Sequence, residues 1–207
     1  MQLQSQQRSI AVGAMFDGIA PRYDLMNRLM SAGQDGRWRR LAAQSIAPLQ
    51  PGPLLDIGAG TGDLALALQT RFPGRAVAGV DLSREMMGVA VTKGYGQLAL
   101  VQADVLHLPF RDAEFAGVAT AFTLRNVADL HAALEEIERV LMPGGRFACL
   151  EITRPRAGLM AALFNLYFRS LVPRIGSVIA RSPGAYAYLP ASVDTFVSGE
   201  QLGRAML

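Results

Sequence analysis

The chain has 207 residues, 51% of them hydrophobic and 18% charged, with a formal net charge of +3. That is enough apolar material for one α/β domain with a sheet covered on both faces, and a mild positive balance without dense Lys/Arg runs does not imply nucleic acid as a main partner. One cysteine and two histidines rule out a disulfide framework and a zinc cluster, so no metal is expected.

The chain opens MQLQSQQRSIAVGAM, without the charged and apolar regions of a secretory signal, which predicts a cytoplasmic protein. Residues 1–50 continue with FDGIAPRYDLMNRLMSAGQDGRWRRL, helical in pattern and dense in Asp, Tyr, Asn and Trp; the expectation is a helical cap over the C-terminal edge of a sheet. From Pro53 short apolar runs alternate with helical patterns: PLLDI and a helix from Thr61, RAVAGVD and a helix from Ser83, LALVQAD, FAGVATAF, then the helix Leu130 to Leu141 and RFACLEI. Such alternation predicts a doubly wound parallel sheet, here over residues 53–152. Pro143-Gly144-Gly145 reads as a helix stop and turn before the fifth strand, and Cys149 within that strand as a small core residue. Residues 153–207 hold an apolar, Arg-punctuated stretch from 156 to 180 that suits the roof of a greasy pocket. It is too short and interrupted to span a bilayer, so the whole chain reads as one domain.

The most informative segment is LLDIGAGTGDLA, an apolar strand, a loop with Gly58, Gly60 and Gly62, and a helix start. A dinucleotide fingerprint needs G-x-G-x-x-G, and here the third glycine arrives one residue early. Acids stand on both sides of the loop, at Asp56 and Asp63, where they repel a pyrophosphate but favour a ligand carrying an ammonium and a sulfonium. Asp81 ends the second predicted strand, placed to accept both ribose hydroxyls; Asp104 ends the third, placed for an adenine amino group, with the Val105 amide donating to a ring nitrogen. The charge logic selects S-adenosylmethionine as cofactor.

With these residues the chain resembles the class I methyltransferases, and more narrowly the ubiquinone/menaquinone-biosynthesis C-methyltransferases. The resemblance rests on YDLMNRLMS with Trp38, DIGAGTGD, LPF at 108–110, TLRNVAD at 123–129, RVLMPGGRFACLEIT and the late segment YAYLPASV. It implies a Rossmann-like sheet in the order 3-2-1-4-5. It also implies cofactor contacts from Asp56, Gly58, Gly60, Thr61, Asp81, Leu82, Asp104, Val105 and Ala121, and a substrate side built from the YD-MN leader and LRN. Two departures stand out. Asp35 occupies a place where the family usually has histidine, and the chain stops at Leu207, before the final antiparallel strand pair of the family, which would leave a sheet edge open.

The implied reaction is C-methylation of a prenylated quinol ring, demethylmenaquinol before a ubiquinol precursor. Arg125 is the first choice for holding the phenolate and Asn126 for orienting the ring, with Tyr23 and Asp24 as a proton relay. His131 and His107 read as surface or adenine-side residues. A prenylated quinol also implies peripheral contact with the inner membrane face, with residues 157–180, Arg174 and Arg181 as the candidate segment. Two rivals stay open: a methyltransferase for another lipophilic phenol, and a catalytically inactive cofactor-binding partner. Monomer and homodimer stay equally open.

Overall fold

In the computed structural model, residues 2–47, 50–94, 98–155, 158–171 and 183–207 are described. Five strands run β1 (Leu54–Ile57), β2 (Val77–Asp81), β3 (Ala99–Gln102), β4 (Phe115–Ala121) and β5 (Leu141–Leu150). They form one sheet in the order β3-β2-β1-β4-β5, every pair parallel, as the alternating pattern predicts. Three leader helices precede it: α1 (Gln2–Ile19), α2 (Tyr23–Met30) and α3 (Asp35–Ile46). Between and after the strands lie α4 (Asp63–Arg71), α5 (Arg84–Thr92), α6 (Leu130–Val140), α7 (Leu159–Leu166, continued by a wider turn over Tyr167–Leu171), α8 (Pro183–Thr195) and α9 (Gly199–Ala205).

Local chemistry sets the helix starts. Ser83 accepts from the Met86 amide at 3.1 Å to cap α5, and Asp129 accepts from the Ala132 amide at 3.1 Å to cap α6. At α9 Ser198 and Gln201 cap reciprocally. The helix expected from Thr61 begins instead at Asp63, because Gly62 takes a left-handed φ of +85° and completes the turn first.

Both sheet faces are covered. On one, Ala42, Ala43 and Ile46 of α3 and Leu64, Ala65 and Leu68 of α4 pack on Leu54, Val77 and Ala119. On the other, Ala133, Ile137 and Val140 of α6 join Phe115, Val118, Phe196 and Leu202. The leader is therefore not a cap throughout. The small residues of α3 let it approach β4 and β5 as a layer helix, while α1 and α2 lie toward the loops, where Ile19, Ala20 and Met26 pack on Met86.

The Pro143-Gly144-Gly145 turn is also relocated. β5 starts at Leu141, opposite Phe115, and the next pair is Gly117 with Arg146. Four residues of β5 bulge out against one of β4, so the turn sits inside the strand. Cys149 is half-buried, its thiol pushed up to about 12 by burial and the nearby Glu151 charge, which leaves it no role as a nucleophile at neutral pH. Among the described residues no helix is long and apolar enough to cross a membrane, and no cluster of metal-ligating side chains occurs.

Candidate active site

The site forms where parallel strands end, at the break in strand order between β1 and β4. The loop after β1 must be glycine-rich at this spot. Gly58 holds φ +71°, and a Cβ there would lie 2.1 Å from Thr123 Oγ1. Gly60, at φ +54°, donates its amide to Asp81 Oδ2 at 2.7 Å, and the Ser83 amide donates to Asp81 Oδ1 at 2.7 Å. Asp81 thus ties the loop to the start of α5, and each oxygen keeps a second acceptor direction toward the cleft. Burial raises its carboxyl, opposed by those two amides. Asp104 accepts from the Leu106 amide at 3.0 Å in a turn that presents its carboxylate to the same cleft.

Gly58, Gly60, Asp81, Leu82, Asp104, Val105 and Ala121 all line this narrow cleft, joined by Ser9, Val12 and Phe16 of α1. No lysine or arginine among the described residues lines it. A pyrophosphate would meet two carboxylates and no counter-charge, whereas an adenosyl ligand with a cationic tail fits. Two expected contacts fall outside the cleft. Thr61 lines the adjoining crevice under the loop, and Asp56 lies wholly buried behind it, with neither carboxyl oxygen in a full hydrogen bond. Burial pushes the Asp56 carboxyl up to about 7, with the charge of Arg39 and the Ala65 amide holding it down in part.

Beside the cleft opens a cavity of about 410 Å³ whose walls are mainly apolar. α1 and α2 supply Met15, Ile19, Met26 and Met30; Trp38 comes from α3, and Phe164, Tyr167 and Phe168 from α7 and its extension. Phe164 stacks on Phe168 at 4.2 Å, and the Tyr167 hydroxyl donates to the Met30 carbonyl, fastening this wall to α2. The expected roof over residues 156–180 is therefore described only in part: Arg174 and Arg181 lie outside the described residues. Phe16, Tyr23, Phe122 and Asn126 line cleft and cavity alike, so the two spaces meet at these four side chains.

Arg125 and Asn126, both buried, stand in the turn after β4 and line the cavity. Phe122 takes a left-handed φ of +62°, and its carbonyl accepts from Arg125 Nη1 at 2.7 Å and Asn126 Nδ2 at 3.1 Å. Arg125 Nη1 also reaches Glu151 Oε1 at 2.6 Å, leaving Nε buried without a partner, as is Asn126 Oδ1. Tyr23 lies at the junction, edge-on to Phe16 with ring centres 6.1 Å apart. Asp24 points elsewhere. It accepts from Thr61 Oγ1 at 2.6 Å and pairs with Lys93 Nζ at 2.5 Å, and it does not line the cavity. The only carboxylate lining the cavity among the described residues is Asp35, held by Arg39 Nη1 at 2.7 Å and Ser31 Oγ at 3.1 Å. His107 and His131 are exposed.

Several participants carry no advance signal in the sequence. Phe16 and Phe122 read as core aromatics, and Lys93 lies 69 residues after Asp24 with nothing local to link them. Glu151 sits inside the LEIT run, where only the partnering arginine identifies it.

The chain is 44% identical over 204 residues to a demethylmenaquinone methyltransferase of Deinococcus radiodurans, covering 97% of this chain and 85% of that protein. It is 45% identical over 193 residues to a ubiquinone/menaquinone biosynthesis C-methyltransferase of Syntrophotalea carbinolica, covering 91% and 81% respectively. Among solved structures, a methyltransferase of Thermotoga maritima matches with a TM-score of 0.61 over 94% of this chain and 78% of that one, at 21% identity, a likeness of fold alone. The family model for ubiE/COQ5 methyltransferases matches residues 1–207. The chain belongs to the ubiE/COQ5 methyltransferase family and is an S-adenosylmethionine-dependent methyltransferase.

Proposed function

We propose that this chain methylates a ring carbon of a prenylated quinol, with demethylmenaquinol as the first acceptor and a ubiquinol precursor as the related one. The observation that carries this reading is the meeting of an acid-lined cleft and a large apolar cavity at Phe16, Tyr23, Phe122 and Asn126. An aromatic ring seated there lies next to the cofactor's reactive end, and a prenyl tail has apolar walls to occupy. The relatives' names give the same acceptor class.

Asp81 and Asp104 hold the cofactor against the close-packed glycine loop, and the cofactor would supply an electrophilic methyl group when bound. The rest falls to the protein. A quinol carbon becomes nucleophilic as its hydroxyl loses a proton, and the growing oxyanion needs fixed donors. Arg125 meets that need: Glu151 and the Phe122 carbonyl pin its Nη1, and Nε stays available. Asn126 Oδ1 accepts from the ring hydroxyl and fixes its orientation. Tyr23, at the junction, relays the hydroxyl proton to water; once the carbon has taken the methyl group, its own hydrogen leaves as a proton to water and the ring oxygen is reprotonated, restoring the quinol. Asp24 instead belongs to the cofactor side, bracing Thr61 and Lys93 beneath the loop. The aromatic walls exclude water, and alignment at the junction supplies much of the acceleration.

Residence in the cytoplasm with peripheral contact at the inner membrane face follows from this acceptor. Exposed Leu25, Leu29, Trp38 and Leu41 on α2 and α3, next to Arg28 and Arg40, support such contact. Co-sedimentation with anionic liposomes is the expected result, and failure to sediment with them removes the membrane claim.

The deciding experiment combines labelled S-adenosylmethionine with reduced demethylmenaquinone, using the chain, Arg125→Ala and Asp81→Ala. Methylated quinol is expected from the chain alone, with cofactor binding lost only in Asp81→Ala. Cofactor binding by the unaltered chain with no methylated quinol overturns the proposal.

A further inference from the structure

Six buried side-chain nitrogen or oxygen atoms among the described residues lack a hydrogen-bond partner. Two belong to Asp56 behind the glycine loop. The other four are Arg125 Nε, Asn126 Oδ1, Asn27 Nδ2 and the Tyr188 hydroxyl, and all four of these residues line the apolar cavity. Leaving a buried donor or acceptor unmade is costly, so four such atoms around one cavity point to a polar ligand that completes them. Arg125 and Asn126 come from the turn after β4. Tyr188 comes from α8, which packs against that same turn, and Asn27 from α2.

We propose that Tyr188, assisted by Asn27, recognises a second oxygen on the acceptor ring, so that the cavity selects rings with two oxygen substituents over rings with one. This rests on the quinol reading above and adds a specificity role to a residue of α8. The count of groups supports it. One ring oxygen is served by Arg125 and Asn126; a hydrocarbon tail needs no polar partner, yet a phenolic donor-acceptor and an amide donor remain on the cavity wall. In a site with those groups, a ring lacking the second oxygen leaves them unsatisfied, and discrimination by such unmade bonds is large compared with discrimination by shape. Tyr188 is suited to this, since it lines the cavity with an apolar ring and carries a buried hydroxyl without a partner.

The test uses reduced demethylmenaquinone with a short tail and the matching naphthol with one hydroxyl removed, with S-adenosylhomocysteine in place of the methyl donor so that neither probe reacts. Their binding to the protein so loaded is measured by equilibrium dialysis for the chain, Tyr188→Phe and Asn27→Leu. The chain is expected to favour the two-oxygen ring by about tenfold or more, and Tyr188→Phe to shrink that preference at least severalfold, with little change for the one-oxygen ring. Asn27→Leu is expected to act in the same direction. Equal weakening of both probes in Tyr188→Phe assigns the residue to packing and overturns the inference, as does an absence of preference in the unaltered chain. Methyl transfer measured alongside separates the two readings: selective binding without turnover removes the proposed reaction and leaves the recognition role standing.

Discussion

At Gly58 space and conformation coincide. The residue's φ of +71°, and the 2.1 Å that would separate an added Cβ from Thr123 Oγ1, make any side chain doubly strained. Gly58→Ala is expected to cost about 2 to 4 kcal/mol of stability and to abolish cofactor binding, read by thermal unfolding and calorimetry. Asp56 permits a signed pH prediction. Its folded pKa, pushed up to about 7 by burial, lies above the ordinary 3.8, so the native state binds the extra proton between those values. Its contribution to stability is whole below about pH 4 and is lost as pH rises through about 7. Asp56→Asn, which imitates the protonated form, is therefore expected to gain stability over the unaltered chain as pH climbs from 4 to 8. A difference that stays flat with pH refutes this. For Asp24, bonded to Thr61 and Lys93, Asp24→Asn is expected to raise the KM for cofactor severalfold with little change in the KM for quinol; the reverse split returns it to the acceptor side.

Among the elements, α1 walls one side of the cleft. Ser9, Val12 and Phe16 line the cofactor cleft, and Asp17 anchors the helix by accepting from Ser83 Oγ at 2.6 Å and the Glu85 amide at 3.2 Å. The cleft is narrow with α1 in place, which predicts that exchange of the cofactor in the proposed site is faster when this helix is loosened. Asp17→Ala is expected to remove about 1 kcal/mol of anchoring and to speed cofactor release several-fold in stopped-flow exchange, at nearly unchanged chemistry. Unaltered release overturns this. Periodicity made the strands and α4 to α6 legible in advance, since both read directly on which side chains face the core. It gave α3 as helical but not its place, because Ala42, Ala43 and Ile46 become a sheet-covering stripe only once β4 and β5 are beneath them. Pro143-Gly144-Gly145 was legible as a break but not as a bulge, because strand pairing resumes at Arg146 through partners on β4.

For the whole molecule, the strands and the acid-lined loop were readable because each depends on a short contiguous stretch, as in LLDIGAG and VAGVD, whereas the strand order rests on pairings between distant stretches and came from the family resemblance. The cavity was not. Its walls come from Met15, Trp38, Phe122, Phe164 and Tyr188, residues far apart in sequence whose types are ordinary for a core. The same distance hid the bond from Asp24 to Lys93, which no local pattern around either residue announces.

The sharing of Phe16, Tyr23, Phe122 and Asn126 between the two spaces also bears on how such an enzyme changes over generations. On the proposed reading, a substitution at any of the four is expected to alter donor and acceptor affinity together, which makes these positions pleiotropic. Walls that line the cavity alone, such as Met15, Ile19, Met30, Trp38 and Phe168, are then where drift toward a new acceptor is expected. A lineage exchanging its quinone there would inherit its methyl donor intact.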